Sequence, residues 1–283
     1  VFLTHRIESE ASLRALELLT ELLTKATQQT SNPHRASLMT ARIAASLDKS
    51  NLQLELRDRS LETLVRLCGH SEFLGEMVAS NPALIDSLEA ARHHRKDHRA
   101  ELREAIDAEA TYPAELAAFR RTWSRLLLDI GVRDASGKIS LAESNALQTE
   151  LAVASINVAY LIARREMARR YGRMDGGPRL SVLALGRLAS GGVDYGSDLD
   201  IILVYDALVA SPISKLTQDE AYARLAELMV AALSSVTRAG YLYRVDLRLR
   251  PNGKNGPLVT SADSFLEYLR ERSDVWEWLA HVK

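Results

Sequence analysis

Apolar positions along the chain fall into two textures. Up to about residue 171 they recur at three- and four-residue steps: Leu13, Leu16, Leu19, Leu22 and Leu23, then Leu61, Leu64, Val65 and Cys68 ahead of Gly69. That spacing lines up one side of a 3.6-residue helix, so both runs predict amphipathic helices. Asn81-Pro82 predicts a helix start leading into Leu84, Ile85 and Leu88. Pro113 suits the first turn of a helix carrying Leu116, Phe119, Trp123, Leu126 and Leu127. Residues 92–104 hold almost no apolar members and predict a solvated stretch, and 131–137 predicts a loop. Ser140 and Glu143 have capping-box spacing and open a long helix through Leu147, Leu151, Ala154, Val158, Leu161 and Met167.

The texture changes after Tyr171-Gly172, where the run GRMDGGP predicts a domain boundary. Short aliphatic and β-branched runs at 179–186, 200–206 and 241–250, bounded by Gly, Asp or Pro, predict strands. Between the last two, Thr217 and Glu220 predict another capping box, with the helix ending at Gly240. Thr260 and Asp263 predict the start of a final helix through Phe265, Tyr268 and Leu269. The order strand, strand, helix, strand predicts an α+β domain over 172–283, a small mixed sheet with packed helices, preceded by an all-α region over 1–171.

Composition narrows the chemistry. With 283 residues, 47% apolar and 26% charged, the chain reads as globular. Thirty-six Lys plus Arg against 37 Asp plus Glu give a formal charge of -1, so no nucleic-acid partner is expected through net charge and any phosphate chemistry must be local. Cys68, the one cysteine, excludes an intramolecular disulfide and a cysteine-rich zinc site, and points to the cytoplasm. No run approaches the roughly 20 uninterrupted apolar residues of a membrane span, so no membrane partner is expected. The Val1 start and the apolar WEWLAHV before Lys283 predict a piece of a longer chain.

The informative stretch is residues 183–206, LALGRLASGGVDYGSDLDIILVYD. Side chains alternate across a strand, so Asp198 and Asp200 project from one face while Leu199, Ile201 and Leu203 go to the other. Two charges about 4 Å apart repel by roughly 4 kcal/mol at an effective dielectric near 20, a cost that a cation between them relieves. Oxygen ligands of this kind suit Mg²⁺. A lone D-x-D also reads as an ordinary pair of solvated acids. Here Gly186 ends a strand, a glycine-rich turn follows, and Ser197 precedes the acids, which together make a candidate phosphate cradle. Tyr195 in that turn is a candidate lining of a nucleotide pocket. Alternation in 241–250 sets Arg244, Asp246, Arg248 and Arg250 on one face. That face reads either as a salt-bridged surface or as a third metal ligand, Asp246, beside arginines that fork onto phosphate. Three acids on two neighbouring strands suit a two-metal clamp.

Other features point to bland roles. His94 and His98 have zinc-compatible spacing but sit in a charged run, which predicts a solvated helix face. No G-x-x-x-x-G-K-[ST] run occurs, which excludes a P-loop ATPase. Cys68 reads as core, and Trp276 and Trp278, with Val275 and Leu279, as a docked helix.

The S-D-x-D in a strand–turn–strand followed by an acid on a later strand resembles the polymerase-β-type nucleotidyltransferase superfamily. More narrowly, GRLASGGVDYGSDLDIILVYD with RVDLRLRPNGKNGPLVTSADSFLEYLRERSDVWEWLAHVK resembles the glutamine synthetase adenylyltransferase family, and TLVRLCGHSEFLGEMVASNPALID is similar to the family's segment before its catalytic domain. The chain departs from the family's G-K-L-G-G at Gly186-Arg187-Leu188-Ala189-Ser190, with its glycine pair at Gly191 and Gly192. The resemblance implies a cytoplasmic, Mg²⁺- or Mn²⁺-dependent enzyme of nitrogen regulation that moves AMP from ATP to a tyrosine of glutamine synthetase. Its implied partners are glutamine synthetase and a PII-type signalling protein. In this sequence Asp198, Asp200 and Asp246 would hold metal and carry catalysis, with Gly186, Ser197, Arg248 and Arg250 on the nucleotide. Three alternatives stay open: the family's phosphorolytic removal of AMP as ADP, a non-catalytic nucleotide-binding domain, and uridylyl transfer to a different regulator.

Overall fold

The computed structural model describes residues 13–50, 52, 56–88, 97–174, 179–236 and 240–282. They fold as an α+β protein, mainly helical, with a small mixed sheet. The helices before the sheet are α1 (Leu13–Gln28), α2 (Pro33–Ser50), α3 (Asp58–His70), α4 (Glu72–Ser80), α5 (His98–Asp107), α6 (Tyr112–Ala135) and α7 (Leu141–Tyr171). Then come β1 (Leu180–Ala184), α8 (Gly186–Ala189), β2 (Leu199–Tyr205), α9 (Gln218–Ser234), β3 (Val245–Asp246), β4 (Thr260–Ser261), α10 (Ala262–Glu271) and α11 (Val275–Val282). The predicted boundary run lies partly, at 175–178, outside the described residues.

The chain packs into two compact units. The first comprises the described residues of Val1–Lys96, Arg121–Gln148 and Thr237–Gly240. In it the predicted stripe of α3 is realised, with Leu61, Leu64, Val65 and Cys68 all buried. Arg35 directs its guanidinium at the end of α3, Nε to the Cys68 carbonyl at 3.3 Å and Nη2 to the His70 carbonyl at 2.9 Å, meeting acceptors that a helix terminus leaves bare. Burial pushes the Cys68 thiol up to about 12, so it serves as core and is inert as a nucleophile. The start predicted at Asn81-Pro82 makes only a 3-10 turn, Pro82–Leu88, with Leu84, Ile85 and Leu88 buried. The loop predicted from residue 131 does not form there, because α6 runs on to Ala135. Gly131 instead lets Leu74 come close: a Cβ at Gly131 would stand 2.4 Å from Leu74 Cδ1. The chain turns at Gly137, in the left-handed region at φ +66°, and α7 begins under the predicted capping box. Ser140 N–H donates to Glu143 Oε2 at 2.8 Å and Glu143 N–H to Ser140 Oγ at 3.3 Å. α7 is long and apolar enough to cross a membrane by length and composition, yet 56% of its most apolar window is buried in the protein, as in a core helix.

The second unit comprises the described residues of Asp97–Arg120, Thr149–Val236 and Tyr241–Lys283. Its first helix corrects the solvated reading of 92–104. Asp97 caps α5 by accepting the N–H groups of Arg99 at 3.0 Å and Ala100 at 3.1 Å, and His98, Leu102 and Ile106, four residues apart, are buried. A narrow stripe among charges is enough to define an inner face; His94 lies outside the described residues. The central strand is β2. β1 pairs with it antiparallel from Leu180↔Tyr205 to Ala184↔Ile201, β3 pairs parallel at its start, and β4 pairs parallel at its end. Both faces of β2 are covered. Tyr205, on the face of Leu199, Ile201 and Leu203, stacks on Tyr222 of α9 with ring centroids 4.4 Å apart. On the opposite face Ile202 and Val204 cluster with Leu185 and with Phe265 of α10.

The edges of the sheet differ from expectation. The strand predicted over 241–250 is reduced to Val245–Asp246, because the Asp246 carboxylate accepts the Arg248 N–H at 2.8 Å and turns the chain. Thr260, predicted as a helix cap, pairs with Val204 in β4, and Ser261 caps α10 through the Ser264 N–H at 3.1 Å. α9 keeps its predicted Thr217–Glu220 box but stops at Ser234, with Ser235 extended, well short of Gly240. α11 is turned the other way from the docked helix predicted by its tryptophans. Glu277 is buried, accepting the Asp274 N–H at 2.9 Å and the Tyr268 hydroxyl at 2.9 Å, and so Trp276 and Trp278 face solvent.

Candidate active site

The candidate site is built at the N-terminal end of β2. Asp198 is exposed immediately before the strand and Asp200 is its second residue, half-buried. The β2–β3 ladder aligns Leu199 with Val245 and Asp200 with Asp246. Aligned residues of neighbouring strands share a face at a spacing of about 4.8 Å, so the register sets the two carboxylates side by side. The ladder is anchored on both sides: Leu199 N–H donates to the Arg244 carbonyl at 2.8 Å, and Leu185 N–H to the Asp200 carbonyl at 2.9 Å.

Crowding of like charge is visible in the electrostatics. The Asp200 carboxyl is held above the ordinary carboxylate range by burial first, then by Asp246 and Asp198, with Arg248 opposing. Asp246 moves the other way. Arg248 donates Nε to both its oxygens, at 3.0 Å and 2.8 Å, and Nη2 to Oδ2, which holds the Asp246 carboxyl below its usual value despite burial. Gly186 explains how Asp200 fits. It sits at φ +54°, and a Cβ there would lie 2.6 Å from Asp200 Oδ2, so the missing side chain is the space that the carboxylate occupies.

The loop between β1 and β2 is held from within. Ser197 Oγ accepts the Asp194 N–H at 3.0 Å, Ser197 N–H returns to the Asp194 carbonyl at 3.0 Å, and Val193 N–H reaches Thr149 Oγ1 of α7 at 3.2 Å. Ser197 thus fixes the turn that leads to the acids.

The sequence model of glutamate-ammonia ligase adenylyltransferases matches residues 61–283. The chain belongs to that family. Among similar curated proteins are three named bifunctional glutamine synthetase adenylyltransferase/adenylyl-removing enzyme. That of Rhodopseudomonas palustris (strain HaA2) is 29% identical over 97% of this chain and 29% of its own length. That of Brucella suis biovar 1 (strain 1330) is 30% identical over 96% of this chain and 29% of its own. That of Idiomarina loihiensis is 33% identical over 78% of this chain and 25% of its own. The chain therefore spans less than a third of the length of these relatives.

In this adenylyltransferase-family chain the two arginines of the V-D-x-R-L-R-P run have separate roles. Arg250 gives Nε, Nη1 and Nη2 to the carbonyls of Gly256 (3.3 Å), Leu247 (2.9 Å) and Lys254 (3.2 Å), which ties the loop after β3 into a closed turn. Arg248 lies on the acid. Sequence reading passed over Lys254, whose charge also lowers Asp246; its signal is the G-K-N in the glycine-flanked loop after the motif. Among the described residues no three Asp, Glu, His or Cys side chains are already gathered around one cation position. The donor chemistry nonetheless fits a hard divalent ion: oxygen ligands, Asp200 and Asp246 in register, whose repulsion is offset in the structure by Arg248.

Proposed function

We propose that this chain carries a nucleotidyl-transfer site that moves AMP from ATP to a tyrosine hydroxyl of glutamine synthetase, dependent on Mg²⁺ or Mn²⁺. The observation that supports it is the Asp200↔Asp246 register, which puts two acids from distant parts of the chain on one face at the mouth of a glycine-bounded loop. Asp198, Asp200 and Asp246 would hold the cation, which when bound supplies neutralisation of the charge on the phosphate oxygens. Asp246 would accept the proton of the tyrosine hydroxyl as its oxygen bonds to the α-phosphorus and pyrophosphate departs. Gly186 would keep the Asp200 carboxylate in position by leaving room for it, and Ser197, with its oxygen accepting from Asp194, would offer its hydroxyl hydrogen to a phosphate oxygen. Arg248 would fork onto the nucleotide.

The relatives' names carry two activities, and the same acids serve the second: phosphate attacking an adenylyl-tyrosine, giving ADP and the free hydroxyl. Incubation with unmodified glutamine synthetase, ATP and Mg²⁺, read by mass spectrometry for AMP on tyrosine, tests the first. Adenylylated glutamine synthetase with phosphate, read for ADP, tests the second. If Asp200→Asn leaves both rates within about tenfold of the parent, a barrier change under roughly 1.4 kcal/mol, the metal role is wrong.

A further inference from the structure

Arg248 is bound to Asp246 more completely than a surface ion pair requires. Its backbone N–H, Nε and Nη2 all donate to that one carboxylate, two residues back in the chain. The contact is closed by a local turn, so it can be made or broken without moving an element of the fold. The two partners are unequally covered. The Arg248 side chain is 69% exposed while that of Asp246 is 14% exposed, so the guanidinium is a lid on the acid and is itself free to leave into solvent. Asp246 is in register with Asp200, which places the guanidinium beside the paired acids. Arg250 shows the contrast, with Nε, Nη1 and Nη2 each donating to a loop carbonyl.

We propose that Arg248 is an internal counter-ion that occupies the cation position of the acid cluster in the metal-free protein and, once displaced from Asp246, turns its guanidinium to the triphosphate, so that metal and nucleotide bind cooperatively. The inference rests on the metal-dependent reading given above. A fork onto both Asp246 oxygens competes with ligation of a cation by the same oxygens. A guanidinium and a divalent ion also repel, so the released side chain gains from a nearby anion, and planar forked recognition of phosphate is what arginine does well. Metal binding then weakens the hold of Asp246 on Arg248, nucleotide binding draws Arg248 away, and each ligand favours the other by the same factor.

The test is a Mn²⁺ titration of the full chain, reading free Mn²⁺ by electron paramagnetic resonance, with and without a non-transferable ATP analogue. Arg248→Gln removes the competitor. It should bind Mn²⁺ alone roughly three- to tenfold more tightly than the parent and gain less from the nucleotide, because part of the coupling is gone. Arg248→Lys, which keeps the charge without the fork, should fall between the two and gives the same readout if the glutamine variant folds poorly. A residue that only braced the turn would weaken Mn²⁺ binding with and without nucleotide alike. Unchanged or weaker affinity of Arg248→Gln for Mn²⁺ alone, with Asp200→Asn abolishing binding, overturns the counter-ion role while sparing the metal site. Full Mn²⁺ binding by Asp200→Asn would remove the metal-dependent reading itself, and this inference with it.

Discussion

Asp200 is aligned with Asp246 and close to Asp198, and burial first, then those two charges, raise its proton affinity. A carboxyl whose folded pKa lies above its unfolded value binds its proton more tightly in the fold, so the fold gains stability as pH falls through that value and loses it as pH rises. Asp200→Asn should therefore melt higher than the parent at neutral pH without metal, and the advantage should vanish in acid where the parent is protonated anyway. Thermal scans at several pH values check this, and an unchanged melting temperature at pH 7 would count against the crowding. Gly186 makes a second case. Alanine there meets both a left-handed φ and the Asp200 oxygen, so Gly186→Ala should cost about 1–3 kcal/mol in stability. It should also lower nucleotidyl transfer by displacing the carboxylate; urea unfolding alongside single-turnover rates separates the two effects. Asp198, Asp200 and Asp246 are visible in the linear chain because D-x-D on a strand and an acid on a later strand are local patterns. The salt bridge between Asp246 and Arg248 is one of the two readings of that face, but the local turn that makes it is not legible, because strand alternation assumes an extended chain and the side-chain-to-backbone bond at Arg248 ends it.

Helices were the more legible elements, since their period and caps are written into neighbouring residues. The Ser140–Glu143 and Thr217–Glu220 boxes both form where spacing predicts them. Gly131 shows where such reading stops. A glycine in a helix costs about 1 kcal/mol against alanine, which reads as a break, unless close packing demands it. Two effects compete in Gly131→Ala: that propensity gain, and overpacking against buried Leu74 that typically costs about 1–3 kcal/mol. The overlap is large and the Leu74 side chain is fully buried, so a net loss of about 1 kcal/mol is expected in urea titration. A stabilised variant would mean that Leu74 can yield. α5 and α11 repeat the lesson in opposite senses. His98 is buried among charges while Trp276 and Trp278 are left outside by a buried Glu277, because a polar side chain with partners is as good an anchor as an apolar one.

Beyond single elements, the second unit is held by an ionic lattice of which the linear chain shows no sign. Glu115 of α6 is fully buried and receives Arg165 at 3.0 Å and Arg169 at 2.8 Å from α7, and Arg165 continues to Asp107 of α5. Removing one member of a buried pair costs about 3–5 kcal/mol when its partner stays buried. Both arginines are partly exposed and can rehydrate, so Glu115→Ala should cost less, about 2 kcal/mol, measured by chemical unfolding. A loss below about 0.5 kcal/mol would make the lattice incidental. The amino-acid order by itself determined the capping boxes that open α7 and α9, the strand cores of β1 and β2, and the three acids with their family signature, because each depends on residues a few positions apart. The pairing of Asp200 with Asp246, the reuse of Gly186 as room for a carboxylate, the fourth strand at Thr260–Ser261 and the lattice around Glu115 came from the folded chain. These join residues tens of positions apart, and such contacts are chosen by shape and charge in three dimensions, which no local spacing encodes.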